Sequence, residues 1–254
     1  MPLDTQSLVN KTAVVTGASR GIGKGIAVEL AALGVTVVLD YLEDEAGATT
    51  AVGEITAAGG RAFAVGADVR DPEAAQFLID EAARLSGAPV QIVVNNAGVI
   101  PNSAGWEAES SATLTDAFLT NAAAAVFTSK ASVKGMRERG WGRIVNISSI
   151  YGDRAAAAVL SYSMSKAALD AVTKALAFEL GKDGITVNAI APGNVDTAMT
   201  RRAGDGYISY VEGQTPLGRL GTVGEVAGAV VSLVANPFVT GATLVLDGGL
   251  STAS

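Results

Sequence analysis

The sequence predicts an α/β protein with a doubly wound fold, in which helices cover both faces of a seven-stranded parallel sheet. Short runs rich in Val and Ile alternate with longer Ala-rich segments along the 254 residues, and 49% of the residues are hydrophobic against 17% charged. Continuous apolar strands separated by helices are typical of parallel sheets buried on both faces. Ligands of such folds bind beyond the carboxyl ends of the strands.

Seven segments have the length and composition of buried strands, and six have those of helices. The predicted strands are Thr12–Thr16, Val35–Leu39, Ala62–Val65, Gln91–Val94, Arg143–Ile147, Thr186–Ile190 and Thr243–Leu246. The predicted helices are Ile22–Leu33, Ala46–Ala58, Pro72–Leu85, Ser110–Arg139, Ser163–Leu180 and Val223–Ala235. The crossovers should be right-handed. Because no Pro-, Ser- or charge-rich linker divides the chain, we expect one domain over residues 1–254.

The regular alternation lapses over residues 193–222, between the sixth strand and the last helix. This long segment contains Gly204, Gly206, Gly213 and Gly218. Long connections in compact domains are commonly functional, and active-site lids are one such function. The segment is therefore a candidate substrate lid.

The composition excludes several kinds of chemistry. The chain has no cysteine, which excludes disulfides and thiolate catalysis, and no histidine, which excludes a His-ligated metal site. We expect no metal site, so an acid/base step must use Tyr, Lys, Ser or a carboxylate. The formal net charge of −7 argues against a nucleic-acid surface, which needs clustered Lys and Arg. Small molecules are the expected partners.

The sequence carries no signal for membrane insertion or export. No apolar run approaches the roughly 20 residues that span a bilayer. The opening MPLDTQSLVN has neither a basic start nor an apolar core. We expect a soluble cytoplasmic protein that does not bind membranes.

A glycine-rich turn with the sequence TGASRGIG joins the first strand to the first helix over residues 16–23. Glycine permits a tight turn and lets a pyrophosphate approach backbone N–H groups at the helix N-terminus. The spacing G-x-x-x-G-x-G differs from the ordinary dinucleotide motif G-x-G-x-x-G. The turn predicts a nucleotide-binding Rossmann fold.

Three further motifs follow the third, fourth and sixth strands: Asp68-Val69, Asn95-Asn96-Ala97-Gly98 and Pro192-Gly193-Asn194-Val195-Asp196-Thr197. Together with the glycine-rich turn, they resemble the motifs of the short-chain dehydrogenase/reductase family, from about Lys11 to Gly249. The resemblance implies the compact single-domain branch of that family and an NAD(P) cofactor. The implied cofactor contacts are Gly17, Ser19, Arg20, Gly21, Ile22, Gly23, Asp40, Tyr41, Asp68, Val69, Asn95, Ala97, Gly98, Tyr162, Lys166, Pro192, Gly193, Val195 and Thr197.

The strongest motif is the S-x12-Y-x3-K spacing of Ser149, Tyr162 and Lys166, which is that of the same family, with Asn121 as the fourth catalytic residue. Residues four apart share a helix face, so Lys166 can direct its charge towards the Tyr162 phenol. A nearby cation can lower a tyrosine pKa of about 10 by roughly 1–3. We therefore expect Tyr162 to exchange the substrate proton.

The resemblance also implies the remaining roles. Ser149 would hydrogen-bond the carbonyl or alkoxide, Lys166 would contact the ribose, and Asn121 would position a water in a proton relay. Hydride would pass between the substrate carbon and the nicotinamide, which the fold aligns. The expected substrate contacts are Ser149, Tyr151 and Asn194.

The expected function is the interconversion of a small alcohol, including cyclic and polyhydroxylated ones, with its ketone or aldehyde. A 3-oxoacyl-carrier-protein reductase, a non-catalytic nucleotide sensor, and an epimerase or dehydratase that uses NAD internally are alternatives. The complete catalytic set argues against a sensor. The short sequence beyond the nucleotide-binding unit argues against an epimerase or dehydratase.

The charge pattern bears on the cofactor and on the carrier. Asp40 and the acidic residues 43–45 oppose a 2′-phosphate whereas Arg20 attracts one, so the balance favours NAD, with NADP as the alternative. Asp40 lies one residue before the acidic ribose ligand of many NAD-using relatives, where Tyr41 aligns. A net charge of −7 should repel an acidic carrier protein. A local basic patch stays open at Arg137, Arg139 and Arg143.

The family resemblance further implies a homotetramer. Its symmetric interfaces are expected on the two long predicted helices, Ser110–Arg139 and Ser163–Leu180. Their small residues permit close packing between symmetry-related copies.

Overall fold

The structure is a computed structural model that describes residues 5–101, 105–154 and 156–252. Its strands are β1 Thr12–Val15, β2 Thr36–Tyr41, β3 Arg61–Gly66, β4 Ile92–Asn95, β5 Gly142–Ile147, β6 Ile185–Pro192 and β7 Thr243–Leu246. They form one seven-stranded parallel sheet in the order β3-β2-β1-β4-β5-β6-β7. The strand order reverses between β1 and β4, and a ligand crevice opens at such a reversal. The predicted Rossmann fold is confirmed.

Helices cover both faces of this sheet. Over the described ranges they are α1 Gly21–Ala32, α2 Glu45–Ala57, α3 Pro72–Ser86, α4 Ser111–Phe118, α5 Ala124–Arg139, α6 Leu160–Leu180, α7 Ala198–Arg201, α8 Asp205–Gln214 and α9 Val223–Val234. The α1, α2 and α9 side chains join one core cluster, and those of α3, α5 and α6 join a second cluster on the opposite face.

The central strands supply alternate side chains to the two core layers. Val15 and Val94 belong to the α1 side, whereas Val14 and Val93 belong to the α3 side, and all four are fully buried. Burying one such side chain stabilises the fold by at most about 1.5–3 kcal/mol. This two-sided burial explains why the strands read as continuous apolar runs.

Local hydrogen bonds fix where the outer helices begin. Asp71 accepts a hydrogen bond from the backbone N–H of Glu73, and Pro72 occupies the first turn of α3, as the sequence predicts. Thr222 and Glu225 form a reciprocal capping box at the start of α9.

The prediction of one continuous helix over Ser110–Arg139 is wrong in the middle of that range. Ser110 caps α4, but a π-helical turn over Leu119–Ala123 separates α4 from α5. A π turn inserts one extra residue into a helix and is frequent at functional sites. Asn121 lies inside this turn.

The predicted start of the next helix, Ser163, is also wrong. Helix α6 begins at Leu160, so Tyr162 lies in its first turn. Its N-cap, Val159, has no capping side chain. The first turn is instead supported from outside, because Glu109 accepts hydrogen bonds from the backbone N–H and hydroxyl of Ser161.

The segment 193–222 is more regular than its glycines suggest. Helices α7 and α8 lie within it, and α8 begins after Gly204, which has a φ of 86°. Val195 and Gly221 form a bridge that brings the ends of the segment together.

In the whole described part of the chain, no helix is both long and apolar enough to cross a membrane.

Candidate active site

The glycine-rich turn after β1 adopts a backbone that requires glycine. Gly17 and Gly21 have φ values of 60° and 57°, in the left-handed region. A Cβ on Gly17 would lie 3.0 Å from Cα of Ala97, and one on Gly23 would lie 2.5 Å from Nδ2 of Asn96. Only glycine therefore allows the turn to pack against the segment that follows β4.

The N-terminus of α1 is open to an anion. The Arg20 side chain makes no hydrogen bond at the cap, and the first turn has no acidic residue. The N–H groups of a first turn lack helical partners, and the helix dipole favours an anion beside them. This cradle, which also contains Ser19 and Ile22, fits the pyrophosphate of a dinucleotide.

Side chains clamp the segment after β4 onto the glycine-rich turn. The Thr16 hydroxyl accepts hydrogen bonds from the backbone N–H groups of Asn96 and Ala97, both at 3.0 Å. In return, Nδ2 of Asn96 donates to the carbonyl oxygens of Thr16 and Gly17 at 2.9 and 3.0 Å. The two predicted cofactor motifs are thus one rigid unit.

Asn95 supports the sheet rather than the crevice. Its Nδ2 donates to Oδ1 of Asn146 at 2.8 Å, and its Oδ1 accepts a hydrogen bond from the Thr128 hydroxyl at 2.5 Å. The buried side chain is therefore engaged between β4, β5 and α5, which differs from the cofactor contact predicted for it. The cofactor contacts predicted for Ala97 and Gly98 stay predictions.

A pocket at the ends of β1, β2 and β3 lies where the adenosine half of the cofactor is expected. It is lined by Asp40, Asp68 and Val69 together with Gly17 and Ala97. The structure thus brings together five predicted cofactor residues. Such a crevice at the strand reversal is where this fold class binds nucleotides.

Asp68 is held by a neighbour that the sequence analysis did not identify. The Arg70 guanidinium donates to both carboxylate oxygens of Asp68 and also to Asp116 on α4, at 2.7–3.1 Å. The hydrogen bonds from Arg70 hold the pKa of Asp68 below its usual range. The pair fixes one wall of the pocket.

Asp40 supports the glycine-rich turn from below. Its Oδ2 accepts a hydrogen bond from the N–H of Gly17 at 3.2 Å, and its backbone carbonyl accepts one from Ala18 at 2.8 Å. Only 2% of the residue is exposed, and burial raises the pKa of the carboxyl to about 7. Its other carboxylate oxygen, Oδ1, has no hydrogen-bond partner in the described part of the chain, and the ribose contact predicted for it stays a prediction. Tyr41 is adjacent, with its ring over Gly66.

Arg20, the residue expected to attract a 2′-phosphate, has an acidic partner. Its guanidinium lies 3.5 Å from Oδ2 of Asp44. Asp44 also caps α2 by accepting a hydrogen bond from the N–H of Gly47. The cation is thus partly neutralised by a carboxylate at the end of β2.

Ser149, Tyr162 and Lys166 come together at the ends of β5 and α6. The Ser149 side chain lies close enough to the Tyr162 phenol to lower the pKa of that phenol. Nζ of Lys166 lies 5.6 Å from the centroid of the Tyr162 ring and donates to the carbonyl oxygen of Ile147 at 2.7 Å. A Cβ on Gly98 would be 3.6 Å from that Nζ, so the lysine borders the predicted cofactor crevice.

The ionisation of this pair differs from the expectation. Burial raises the pKa of Tyr162 above its usual 10, and the nearby Ser149 side chain only partly opposes this. Burial also lowers the pKa of Lys166 to about 8. Desolvation thus outweighs the predicted effect of the lysine charge, and the phenol is held in its proton-donating form.

The π turn presents Asn121 to the segment after β4. Its Oδ1 accepts a hydrogen bond from the N–H of Val99 at 2.7 Å. Its Nδ2 donates to the carbonyl oxygen of Val99 and to the Ser165 hydroxyl, at 2.9 and 2.8 Å. Asn121 thereby joins α6 to the crevice wall. The water contact predicted for Asn121 stays a prediction.

The segment after β6 closes the other side of the crevice. The N–H of Gly193 donates to the carbonyl oxygen of Leu246, and the Thr197 hydroxyl caps α7. A Cβ on Gly21 would lie 3.8 Å from Cγ2 of Thr197. The predicted nicotinamide segment, which includes Pro192 and Val195, therefore meets the predicted pyrophosphate turn.

Helix α8 packs beside two of the predicted substrate residues. Tyr207 on α8 donates a hydrogen bond to Oδ1 of Asn194 at 3.0 Å, and Tyr151 packs against the apolar cluster that contains Val211 of α8. Tyr151 follows Ser149 by two residues, and its N–H donates to the Ser149 hydroxyl at 3.2 Å. Residues 193–222 thus contribute directly to the wall beside the catalytic set.

Asp170 is a further buried group that the sequence analysis did not single out. It lies one turn after Lys166 on α6, and its Oδ1 accepts a hydrogen bond from the Thr243 hydroxyl at 3.4 Å. Its i+4 spacing from Lys166 was the available signal. Across the described ranges, no three carboxylates are grouped so that they could hold a metal ion.

Comparisons with known proteins agree with this geometry. The family model described as Enoyl-(Acyl carrier protein) reductase matches residues 17–251. The chain is 39% identical over 246 residues to 3-oxoacyl-[acyl-carrier-protein] reductase FabG of Pseudomonas aeruginosa, covering 96% of this chain and 98% of that protein. The chain belongs to the short-chain dehydrogenase/reductase family.

Other relatives in this family carry different activities in their names. The chain is 37% identical over 255 residues to L-rhamnose 1-dehydrogenase (NAD(P)(+)) of Azotobacter vinelandii, covering 96% and 97% of the two chains. A short-chain dehydrogenase/reductase from Serratia marcescens is similar in structure, with a TM-score of 0.90, 36% identity, and 96% and 99% of the two chains covered. The chain is thus an NAD(P)-linked oxidoreductase of a family whose members differ in substrate.

Proposed function

We propose that the chain interconverts a small free alcohol with its ketone or aldehyde, and that Tyr162 exchanges the proton. The observation that carries this proposal is that Ser149, Tyr162 and Lys166 meet at one place, with Nζ of Lys166 5.6 Å from the centroid of the phenol ring and Ser149 close enough to lower the pKa of the phenol. A phenol and a hydroxyl that face the same space can hold one substrate oxygen between them.

Each residue of this set then has a role at a stated atom. Oη of Tyr162 gives its proton to the carbonyl oxygen in reduction and takes it back in oxidation. The hydroxyl of Ser149 donates to the same oxygen and orients it. Lys166 stabilises the phenolate that reduction leaves behind. The bound nicotinamide supplies or accepts the hydride.

NAD is the cofactor that we propose. Three observations support it: Arg20 is paired with Asp44, acidic residues follow β2, and Asp40 lies under the phosphate turn. A 2′-phosphate in this place would meet carboxylates, and Arg20 would have to leave its partner Asp44 to bind it. Like charges placed close together disfavour binding.

A second candidate is a reductase of 3-oxoacyl groups on a carrier protein, which the name of the Pseudomonas relative favours. Such a reductase needs a basic surface, and two of the three arginines of the candidate patch, Arg137 and Arg143, are already engaged. Arg137 is paired with Asp183 at 2.6 Å. Arg143 is only 5% exposed and donates to the backbone carbonyl of Val234. Arg139 alone does not make a docking surface for an acidic protein, so we prefer a free substrate.

A substrate panel tests the proposal. Purified protein is incubated with NAD or NADH and free alcohols or ketones, and with a 3-oxoacyl carrier thioester, while nicotinamide absorbance and products are followed. We expect net turnover of free compounds with NAD. A marked preference for the carrier thioester would replace the proposal by the second candidate. Absence of turnover would indicate a sensor, and product without net cofactor change would indicate an epimerase or dehydratase.

Three further features complete the proposal. Residues 193–222 act as a substrate lid on a single domain of residues 1–254, because α8 brings Tyr207 to the site wall. The assembly is a homotetramer, and the location is cytoplasmic. Light scattering at working concentration tests the tetramer.

A further inference from the structure

Two polar side chains, Tyr207 and Asn194, are joined in the wall beside the catalytic set. Tyr207 donates its single hydroxyl proton to Oδ1 of Asn194 at 3.0 Å. The Tyr207 oxygen therefore has no proton left to donate and can only accept from a further partner.

This pair is complementary to one kind of ligand group. Nδ2 of Asn194 is buried and has no hydrogen-bond partner within the part of the chain that the structure describes. Leaving such an amide unpaired is unfavourable. The Tyr207 oxygen beside it can accept a hydrogen bond, because its own proton is used on Oδ1 of Asn194. A ligand hydroxyl can accept from Asn194 and donate to Tyr207 at once, whereas an ether or a carboxylate cannot donate.

The pair also lies near the reacting atoms. Tyr151 follows Ser149 by two residues, and its backbone N–H donates to the Ser149 hydroxyl. Tyr151 packs against the apolar cluster that contains Val211 of α8, the helix that carries Tyr207. A substrate oxygen held by Ser149 and Tyr162 therefore has a second polar anchor within the reach of one small molecule.

The surrounding charges favour an uncharged substrate. Arg201 binds Asp196 through two hydrogen bonds of 2.6 Å. Arg154 donates to the carbonyl oxygen of Leu250, and Arg219 is paired with Glu225. These arginines are already engaged, so the recognising groups beside the site are the neutral hydroxyls and amide.

We propose that Tyr207 and Asn194 form a subsite for a second hydroxyl of the substrate. The preferred substrates are uncharged compounds with a hydroxyl close to the reacting carbon, such as vicinal diols, 2-hydroxy ketones and sugars. This inference rests on the function proposed above and specifies its substrate class.

Matched alcohols test the subsite through turnover. The wild-type protein is assayed with NAD and cyclohexanol, trans-cyclohexane-1,2-diol or 2-methoxycyclohexanol. We expect kcat/KM for the diol to exceed both others by about 10-fold or more. Tyr207→Phe and Asn194→Leu should remove most of that preference, because each should lower kcat/KM for the diol more than kcat/KM for cyclohexanol. Tyr210→Phe, a control at a 65% exposed position on α8, should keep the wild-type preference.

A binding measurement separates this inference from the proposed function. In Tyr162→Phe loaded with NAD, ligand-observed NMR should still show tighter binding of the diol than of cyclohexanol, and adding Tyr207→Phe should abolish the difference. Equal turnover of the diol by wild type and Tyr162→Phe would reject the proposed function without touching the subsite. Equal binding of diol and cyclohexanol, or equal losses on both alcohols in Tyr207→Phe and Asn194→Leu, would overturn the subsite.

Discussion

Lys166 donates a hydrogen bond from Nζ to the carbonyl oxygen of Ile147 at 2.7 Å. This bond ties the ammonium to the last residue of β5 while the lysine backbone belongs to α6. Only 4% of the lysine is exposed. The charge beside Tyr162 is therefore held in one place, and placement of this kind is what electrostatic assistance requires.

We expect Tyr162→Phe to keep its fold and its affinity for the cofactor but to lose about 10²–10⁴-fold in kcat. The substitution removes only the hydroxyl that exchanges the proton. Turnover should be measured beside nucleotide affinity and thermal unfolding, with Tyr210→Phe as the matched control. Near-normal turnover in a folded Tyr162→Phe protein would refute the role assigned to this tyrosine.

The pH dependence of alcohol oxidation should carry the signature of Lys166. Burial lowers the pKa of Lys166 to about 8, so its charge is present below pH 8 and is lost as the pH rises through 8. Oxidation also needs Tyr162 without its proton, which favours higher pH. At saturating cofactor, kcat/KM should rise with pH up to about 8 and level off above it.

Lys166→Arg provides the comparison, because a guanidinium stays charged throughout this range. The reduced activity that remains should continue to rise above pH 8. If kcat/KM of Lys166→Arg also stopped rising near pH 8, another group would have to titrate there.

The cofactor preference should depend on the pair of Arg20 and Asp44. Asp44→Asn removes the carboxylate that neutralises Arg20, whereas asparagine can still cap α2. We expect the ratio of kcat/KM for NADP to that for NAD to rise about 10-fold, because a freed guanidinium can bind the 2′-phosphate. Glu45→Gln removes the same charge one residue away and should leave the ratio nearly unchanged. An equal rise in both variants would assign the effect to net charge alone.

Features that depend on residues close together in the sequence were predictable, and features that depend on distant residues were not. The seven strands and the set of Ser149, Tyr162 and Lys166 were predictable, because apolar patterning and helical spacing are local properties. The π turn around Asn121 was not, since inserting one residue leaves no trace in composition. The start of α6 was missed because its support comes from Glu109, which is distant in sequence.

Side-chain partners were the least predictable part of the site. Asp40 and Arg20 were identified as cofactor residues from their positions alone. Their partners, Gly17 and Asp44, lie more than 20 residues away in the chain. Whether a carboxylate faces the ligand or supports the turn beneath it depends on tertiary packing, which no local pattern encodes.

The buried carboxyl of Asp40 should make stability depend on pH. Its pKa is about 7 in the folded protein because burial disfavours the charged form, against 3.8 for an exposed aspartate. Between these values the folded state binds more protons than the unfolded state, so stability falls as the pH rises from about 4 to about 7. Above pH 7 the full destabilisation is present.

Asp40→Asn should therefore stabilise the protein at pH 8 by about 1–3 kcal/mol. Asparagine is uncharged, has nearly the same shape, and keeps an oxygen that can accept from the N–H of Gly17. The advantage should shrink as the pH falls towards 4, where the aspartate is itself neutral. Urea unfolding at pH 4.5, 6 and 8 measures the difference, with Asp80→Asn on the exposed face of α3 as the control for loss of a surface charge. A difference between Asp40→Asn and wild type that stays constant from pH 4.5 to 8 would mean that the carboxyl does not titrate in this range.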